Sequence, residues 1–192
     1  MFVNIGKSVA AYERALRVAP NALDRYAGGE TGALSDLEKD GLRAFFETGC
    51  AQCHWGGRLT DDAFHPLRFP SGHQDFTPDD GRIAGVFIYG ASLFRADGVY
   101  SDAKQPRRAP PRAERDRGSF KTPALRGVAV TAPYGHGGSV PSLAMAVELH
   151  RTLGRPAGDR FSSGTVEPWL VAFDAARGPA LLAFLQTLGF DF

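Results

Sequence analysis

The 192-residue sequence has few cysteines, little net charge and no long apolar run. Its two cysteines are too few for the disulfide framework of a secreted domain of this size. A net charge of +1 gives no reason to expect nucleic acid or an anionic membrane as the main partner. The longest apolar stretch, residues 83–94, is too short to span a bilayer. We therefore expect it to be a buried segment.

The sequence also lacks any convincing strand pattern or internal repeat, and helical patterns account for most of its periodicity. We predict helices over Val3–Val18, over Ser35–Thr48 behind a Ser-x-x-Glu capping box, from Ser142 to about Leu153, and from Pro179 to Gly189. Residues 102–117 carry three prolines and five arginines. Such a loop is typical of a solvated connection, although a docking surface is also compatible with it.

The two cysteines fall in one pentapeptide, Cys50-Ala51-Gln52-Cys53-His54. Two thiols separated by two residues can each add to a vinyl group of one porphyrin, and the following histidine then reaches the iron. We therefore predict one covalently attached haem c, with His54 as the proximal ligand. Covalent haem attachment normally takes place outside the cytoplasm, which predicts a periplasmic location.

We expect the N-terminal segment to be an amphipathic helix and not a signal peptide, because charged residues interrupt its apolar positions at helical intervals. A removed leader and a chain that forms part of a longer exported protein both agree with this.

Two other functions of the cysteine pair are less compatible with the sequence. A thioredoxin-like Cys-x-x-Cys follows a strand and begins a helix, whereas here a predicted helix leads into the motif. A structural zinc site needs two further ligands, and there is no second cysteine pair.

The sixth ligand of the iron decides what such a haem can do. The candidates are Met1, Met145, His65, His73, His136 and His150. Leu143, Val147 and His150 share one stripe of their predicted helix, and Met145 lies about 140° from His150 on a helix of 3.6 residues per turn. On the pattern alone, His150 is either a ligand or a hydrogen-bonded core histidine.

The sequence resembles the C-terminal haem domain of the bacterial di-haem cytochrome c peroxidases and the related MauG-type proteins. The matching segments include LEKDGLRAFFETGCAQCHWGG and RGSFKTPALRGVAVTAPYGHGGSVPSLAMAVELH, and they follow the family order along nearly the whole chain. The resemblance implies an all-α, cytochrome c-like domain with long loops around one covalent haem. It places this domain at residues 35–192, after an N-terminal helix and linker at residues 1–34, with the Arg/Pro-rich loop at 102–117.

The resemblance also implies roles for individual residues. The position of His150 supplies the sixth iron ligand, which is a Met in the peroxidases and a Tyr in MauG, so a bis-histidine haem is expected here. Arg126 is expected to pair with a haem propionate, and His65 to contact a propionate or a neighbouring group. The backbone carbonyls of Thr131 and Pro133 match a calcium site whose side-chain partner comes from the other haem domain. His136 is expected to form structural hydrogen bonds, and His73 has no assigned role.

Three functions follow from the resemblance. In the first, a six-coordinate haem accepts an electron from a small donor protein, a cytochrome c or a cupredoxin, and passes it toward a peroxide-reducing haem elsewhere. In the second, an unliganded His150 leaves the iron open, and the chain is a peroxidase in its own right. In the third, the chain is a MauG-like oxidase of a partner protein. A second Cys-x-x-Cys-His motif, which would carry the family's peroxide-reducing haem, is missing. We therefore favour the electron-transfer domain, and whether the chain itself is an enzyme stays open.

Overall fold

The computed structural model describes residues 2–17, 19–72, 79–102 and 110–189. Met1, His73 and residues 103–109 of the Arg/Pro-rich loop therefore lie outside the described residues. Within the described part the chain forms six α-helices and two short strands, joined by long loops. The helices are α1 (Phe2–Ala15), α2 (Ala22–Ala27), α3 (Asp36–Glu47), α4 (Arg82–Ala91), α5 (Leu143–Arg151) and α6 (Gly178–Gln186). The strands are β1 (Phe64–Pro66) and β2 (Ser119–Lys121).

Helix α3 begins and ends where its sequence predicts. The Ser35 side chain accepts a hydrogen bond from the backbone of Glu38, and the Glu38 carboxylate accepts one from the backbone of Ser35, which completes the capping box. After α3, Gly49 adopts a left-handed conformation with φ of 84°, and Cys50–Gln52 form a 3₁₀ turn. The capped helix thus leads directly into the cysteine pair.

The core lies where α3 crosses α6. Gly41 of α3 stands against the backbone of Ala180, so closely that a Cβ atom at position 41 would lie 2.0 Å from the Ala180 carbonyl oxygen. Phe45 meets Phe184 edge to face, with ring centroids 5.3 Å apart. The apolar residues of this cluster are buried: Ala44, Phe45, Leu125, Val128, Leu181, Phe184, Leu185 and Leu188.

The two strands form a small antiparallel sheet that the sequence analysis did not predict. His65 pairs with Phe120, and Phe64 and Pro66 pair with Lys121 and Ser119. Strands of three residues are too short to show a two-residue periodicity, so no pattern could reveal them. The sheet sets His65 beside Phe120.

The prediction that residues 83–94 are buried is wrong for most of the segment. Ile83 is only 2% exposed, but Phe87, Ile88, Leu93 and Phe94 are 58–69% exposed. The segment is helix α4 followed by a turn, and it buries only its first apolar residue. No helix in the described part of the chain is long and apolar enough to cross a membrane.

The N-terminal helix α1 also exposes its apolar residues. None of the residues Phe2–Ala15 is buried. The helix contacts the turn after α4 through the rings of Phe2 and Phe94, 6.0 Å apart, and through an ion pair between Lys7 and Asp102. Farther along, Asn21 and Leu34 are each 1% exposed. The division at residue 34 stays a prediction.

Candidate functional site

A cavity of about 430 Å³ lies beside the α3–α6 core, between the cysteine pair and α5. Its volume falls within the roughly 300–1,000 Å³ of small-molecule and cofactor sites. Cys50, Cys53 and His54 line one side, and His150 of α5 lines another. The remaining lining is mainly apolar, including Phe45, Leu67, Phe69, Leu125, Val128, Leu143, Val147, Leu181 and Leu185.

The rings of His54 and His150 face each other across this cavity. Their centroids lie 6.5 Å apart, and their planes meet at 61°. A metal–nitrogen bond is about 2 Å long, and the centre of an imidazole ring lies roughly 1 Å beyond the nitrogen. Two imidazoles on opposite sides of one metal therefore have centroids about 6 Å apart. The observed separation therefore suits a single metal ion held between the two rings.

Hydrogen bonds determine which nitrogen of each ring can bind a metal. Nδ1 of His54 lies 3.0 Å from the carbonyl oxygen of Leu59, and Nδ1 of His150 lies 2.8 Å from that of Ala146. A carbonyl oxygen can only accept, so both Nδ1 atoms carry the proton and donate it. Each Nε2 would then be the nitrogen that could coordinate a metal, as in metal-bound histidines whose other nitrogen donates to a carbonyl.

Both histidines are neutral near pH 7. Burial lowers the pKa of His54 to about 4, with a smaller contribution from the nearby His150. Burial also lowers the pKa of His150, although the hydrogen bond to Ala146 opposes the shift. Neutral imidazole is the form that binds a metal.

The cysteines lack the electrostatic surroundings of a reactive thiolate. Burial raises the pKa of Cys50, and burial together with the negative charge of Asp61 raises that of Cys53 to about 12. The reactive thiolate of a redox-active cysteine pair has a lowered pKa. These surroundings argue against a thioredoxin-like pair.

His65 lies at the edge of the cavity between two carboxylates. Its Nε2 is 2.8 Å from Asp61 Oδ2, and its Nδ1 is 2.7 Å from Glu167 Oε1. Burial lowers the pKa of His65, but the hydrogen bonds to Glu167 and Asp61 outweigh this effect and raise it. The His65 and Trp169 rings also make an edge-to-face contact, with centroids 5.7 Å apart. Sequence reasoning selected His65 but missed both carboxylates. Glu167 is 102 residues away along the chain, whereas Asp61 lies only 4 residues before His65 and could have been found from the sequence.

Cys53, Asp61 and His65 could also hold a metal ion, because one ligand atom from each lies within 4.8 Å of the others. If the Cys53 sulfur forms a thioether bond to a cofactor, it can no longer serve as a thiolate ligand of such a metal site. The same atoms therefore belong either to a three-ligand metal site or to a covalent cofactor.

The other residues selected from the sequence are divided between the cavity and its surroundings. Thr131, Pro133 and His136 line it. The ring of His136 stacks on Phe120 at 3.5 Å. Arg126 is not among the lining residues, and its guanidinium donates to both carboxylate oxygens of Asp24 and to the carbonyl of Gly57. Met145 is 50% exposed and likewise lies outside the cavity lining.

Comparisons with known proteins identify the relatives of this chain. It is 34% identical over 146 residues to cytochrome c peroxidase Ccp of Escherichia coli, a match that covers 76% of the chain and 27% of that protein. It is 30% identical over 186 residues to the methylamine utilization protein MauG of Methylorubrum extorquens, covering 96% of the chain and 44% of that protein. No protein-family model matches.

A solved structure agrees with this relationship. The crystal structure of a MauG-like protein associated with microbial copper homeostasis superposes with a TM-score of 0.64 at 25% identity, over 97% of this chain and 53% of that one. The diheme peroxidase BthA from Burkholderia thailandensis shares the fold, with a TM-score of 0.59 over 83% of this chain and 44% of that one.

The chain belongs to the di-haem cytochrome c peroxidase and MauG family. It spans about a quarter to a half of the length of these relatives.

Proposed function

We propose that this chain is a haem c electron-transfer domain of the family, equivalent to its C-terminal haem domain. The observation that carries the proposal is the pair of opposed histidines, His54 and His150, at a separation that suits one metal ion between them. Cys50 and Cys53 line the same cavity, within reach of the group that His54 would bind.

The residues present fit a covalent haem c in a cytochrome c-like fold. Cys50 and Cys53 would form the two thioether bonds, His54 would be the proximal ligand, and His150 would be the distal ligand. The bound group would supply one-electron redox chemistry. With His54 and His150 both bound to the iron, no position would be left open for peroxide, which favours electron transfer over peroxide reduction.

His65 and Arg126 are proposed as further contacts of the cofactor. His65 lines the cavity and can offer a positive charge toward a propionate, since Asp61 and Glu167 favour its protonated form. Arg126 already pairs with Asp24, so a propionate would have to share its guanidinium. The carbonyls of Thr131 and Pro133 remain the proposed calcium ligands.

The proposed electron path involves a small donor protein, a cytochrome c or a cupredoxin, and a peroxide-reducing haem in a second domain. Two observations support a second folded body. The chain spans less than half of the length of these relatives. Helices α1 and α4 also expose several large apolar side chains, among them Phe2, Ile5, Phe87 and Ile88, which a neighbouring domain could cover. The proposed location is the periplasm, where haem c is attached.

A second candidate function is MauG-like oxidation of a partner protein. The match to MauG over 96% of the chain favours it. Peroxidase activity of the chain itself requires an open iron, which the position of His150 argues against.

Stopped-flow oxidation by peroxide tests the proposal. The haem-loaded chain is reduced and mixed with hydrogen peroxide, beside the variant His150→Gly, which opens the distal side. We expect slow oxidation of the wild type and a rate at least tenfold higher for the variant. Fast peroxide consumption by the wild type, equal to that of the variant, would refute an electron-transfer domain and favour a peroxidase.

A further inference from the structure

Phe69 packs against the ring of His150 in the cavity. The two ring centroids are 5.1 Å apart and the planes meet at 67°, an edge-to-face contact. Phe69 itself lines the cavity, and its Cδ1 atom would lie 3.4 Å from a Cβ added at Gly135. The Phe69 ring therefore lies close to the backbone of Gly135 as well as to His150.

The plane of the His150 ring is fixed from two directions. The Ala146 carbonyl holds Nδ1 at 2.8 Å, and Phe69 packs against the ring itself. The plane of His54 is fixed separately, by the Leu59 carbonyl at 3.0 Å. These contacts hold the two planes at 61°, closer to perpendicular than to parallel.

We propose that Phe69 is a positioning residue that keeps the His150 ring crossed relative to His54. This inference rests on the proposed function, in which both rings bind one iron. Of the two iron d orbitals that can interact with the ligand π systems, two parallel imidazoles interact with the same one and so make the two orbitals differ in energy. Two crossed imidazoles interact with one of these d orbitals each, so the two orbitals stay nearly equal in energy. Crossed ligands therefore give a strongly anisotropic low-spin ferric signal, and parallel ligands give a rhombic one.

Electron paramagnetic resonance of the ferric, haem-loaded chain tests this inference at low temperature. We expect the wild type to give one strongly anisotropic low-spin signal with a large highest g value. In Phe69→Ala the ring loses its packing partner, so the highest g value should fall and the signal should broaden toward the rhombic form. Phe69→Tyr keeps an aromatic ring and should keep the wild-type signal.

The control is Phe161→Leu, because the Phe161 ring packs under Arg155 and Arg160 and is not among the cavity-lining residues. It should lose stability without a change in g values. If Phe69→Ala fails to fold, Phe69→Leu measures the same effect with a smaller loss of volume.

The outcomes separate this inference from the proposal on which it rests. A low-spin signal that is rhombic in the wild type, or unchanged in both Phe69→Ala and Phe69→Leu, would overturn the role of Phe69 and leave the ligation by His150 intact. A high-spin signal in the wild type would overturn the ligation itself, and the inference with it.

Discussion

Replacing Gly41 by Ala tests the crossing of α3 and α6, which supports the cysteine pair. The added Cβ would lie 2.0 Å from the Ala180 carbonyl oxygen and 2.7 Å from the Phe184 Cβ. Ordinary contacts between such atoms are about 3.5–4.0 Å, so the helices would have to separate by more than 1 Å. Overpacking of this kind costs about 1–3 kcal/mol, occasionally more. The higher helix propensity of Ala relative to Gly offsets at most about 1 kcal/mol of this destabilisation.

Because the added Cβ would meet the Ala180 backbone and not the end of a flexible side chain, we expect the upper part of the overpacking range, a net destabilisation of about 2 kcal/mol for Gly41→Ala. For a chain of this size that corresponds to a fall in Tm of roughly 4–8 °C. Thermal unfolding of the haem-loaded protein, followed by circular dichroism, measures the change.

The chain offers a matched control for this substitution in Gly85. This glycine lies inside α4, and nothing lies within 4 Å of a Cβ added there. Gly85→Ala should therefore be stabilising by up to about 1 kcal/mol. If both substitutions raise Tm, the two helices do not approach as closely as described, and the reasoning about the core fails.

Two further predictions concern charged pairs. Because the pKa of His65 is raised in the folded chain, its stabilising effect is complete below its ordinary value near 6.5 and is lost as the pH rises through the folded value. His65→Gln should therefore lower the free energy of unfolding by about 1.5–3 kcal/mol at pH 6 and by less at pH 9. Tm measured against pH tests this, and an equal loss of stability at both pH values would contradict it. Glu167→Gln should show the same pH dependence with a smaller loss. Asp24→Asn, which leaves Arg126 without its anionic partner, should cost about 1–3 kcal/mol in urea unfolding. If Asp24→Asn leaves the midpoint unchanged, the pair contributes nothing to folding.

The parts of the fold that depend on local sequence could be predicted. Helix α3 carries its own capping box and a glycine at its end, so neighbouring residues alone determine where it begins and stops. The stripe of α5 correctly placed His150 toward the cavity and Met145 away from it, because helical periodicity fixes which residues share a face.

The parts that depend on distant contacts could not be predicted. The pairing of Arg126 with Asp24 joins residues 102 positions apart, and neither has a local pattern that reveals the other. The apolar segment at 83–94 shows the opposite error, since hydrophobicity alone predicted burial and the fold leaves most of it exposed. Phe69 carries no motif, and its contact with His150 depends on how the loop after β1 approaches α5.

The ligand set of the iron tests the central claim most directly. Optical and paramagnetic-resonance spectra of the haem-loaded chain should show a six-coordinate, low-spin iron in both oxidation states, without the long-wavelength band of a methionine–iron bond. His150→Ala should convert the ferric protein to high spin. An unchanged low-spin spectrum in His150→Ala, or a high-spin wild type, would contradict the account.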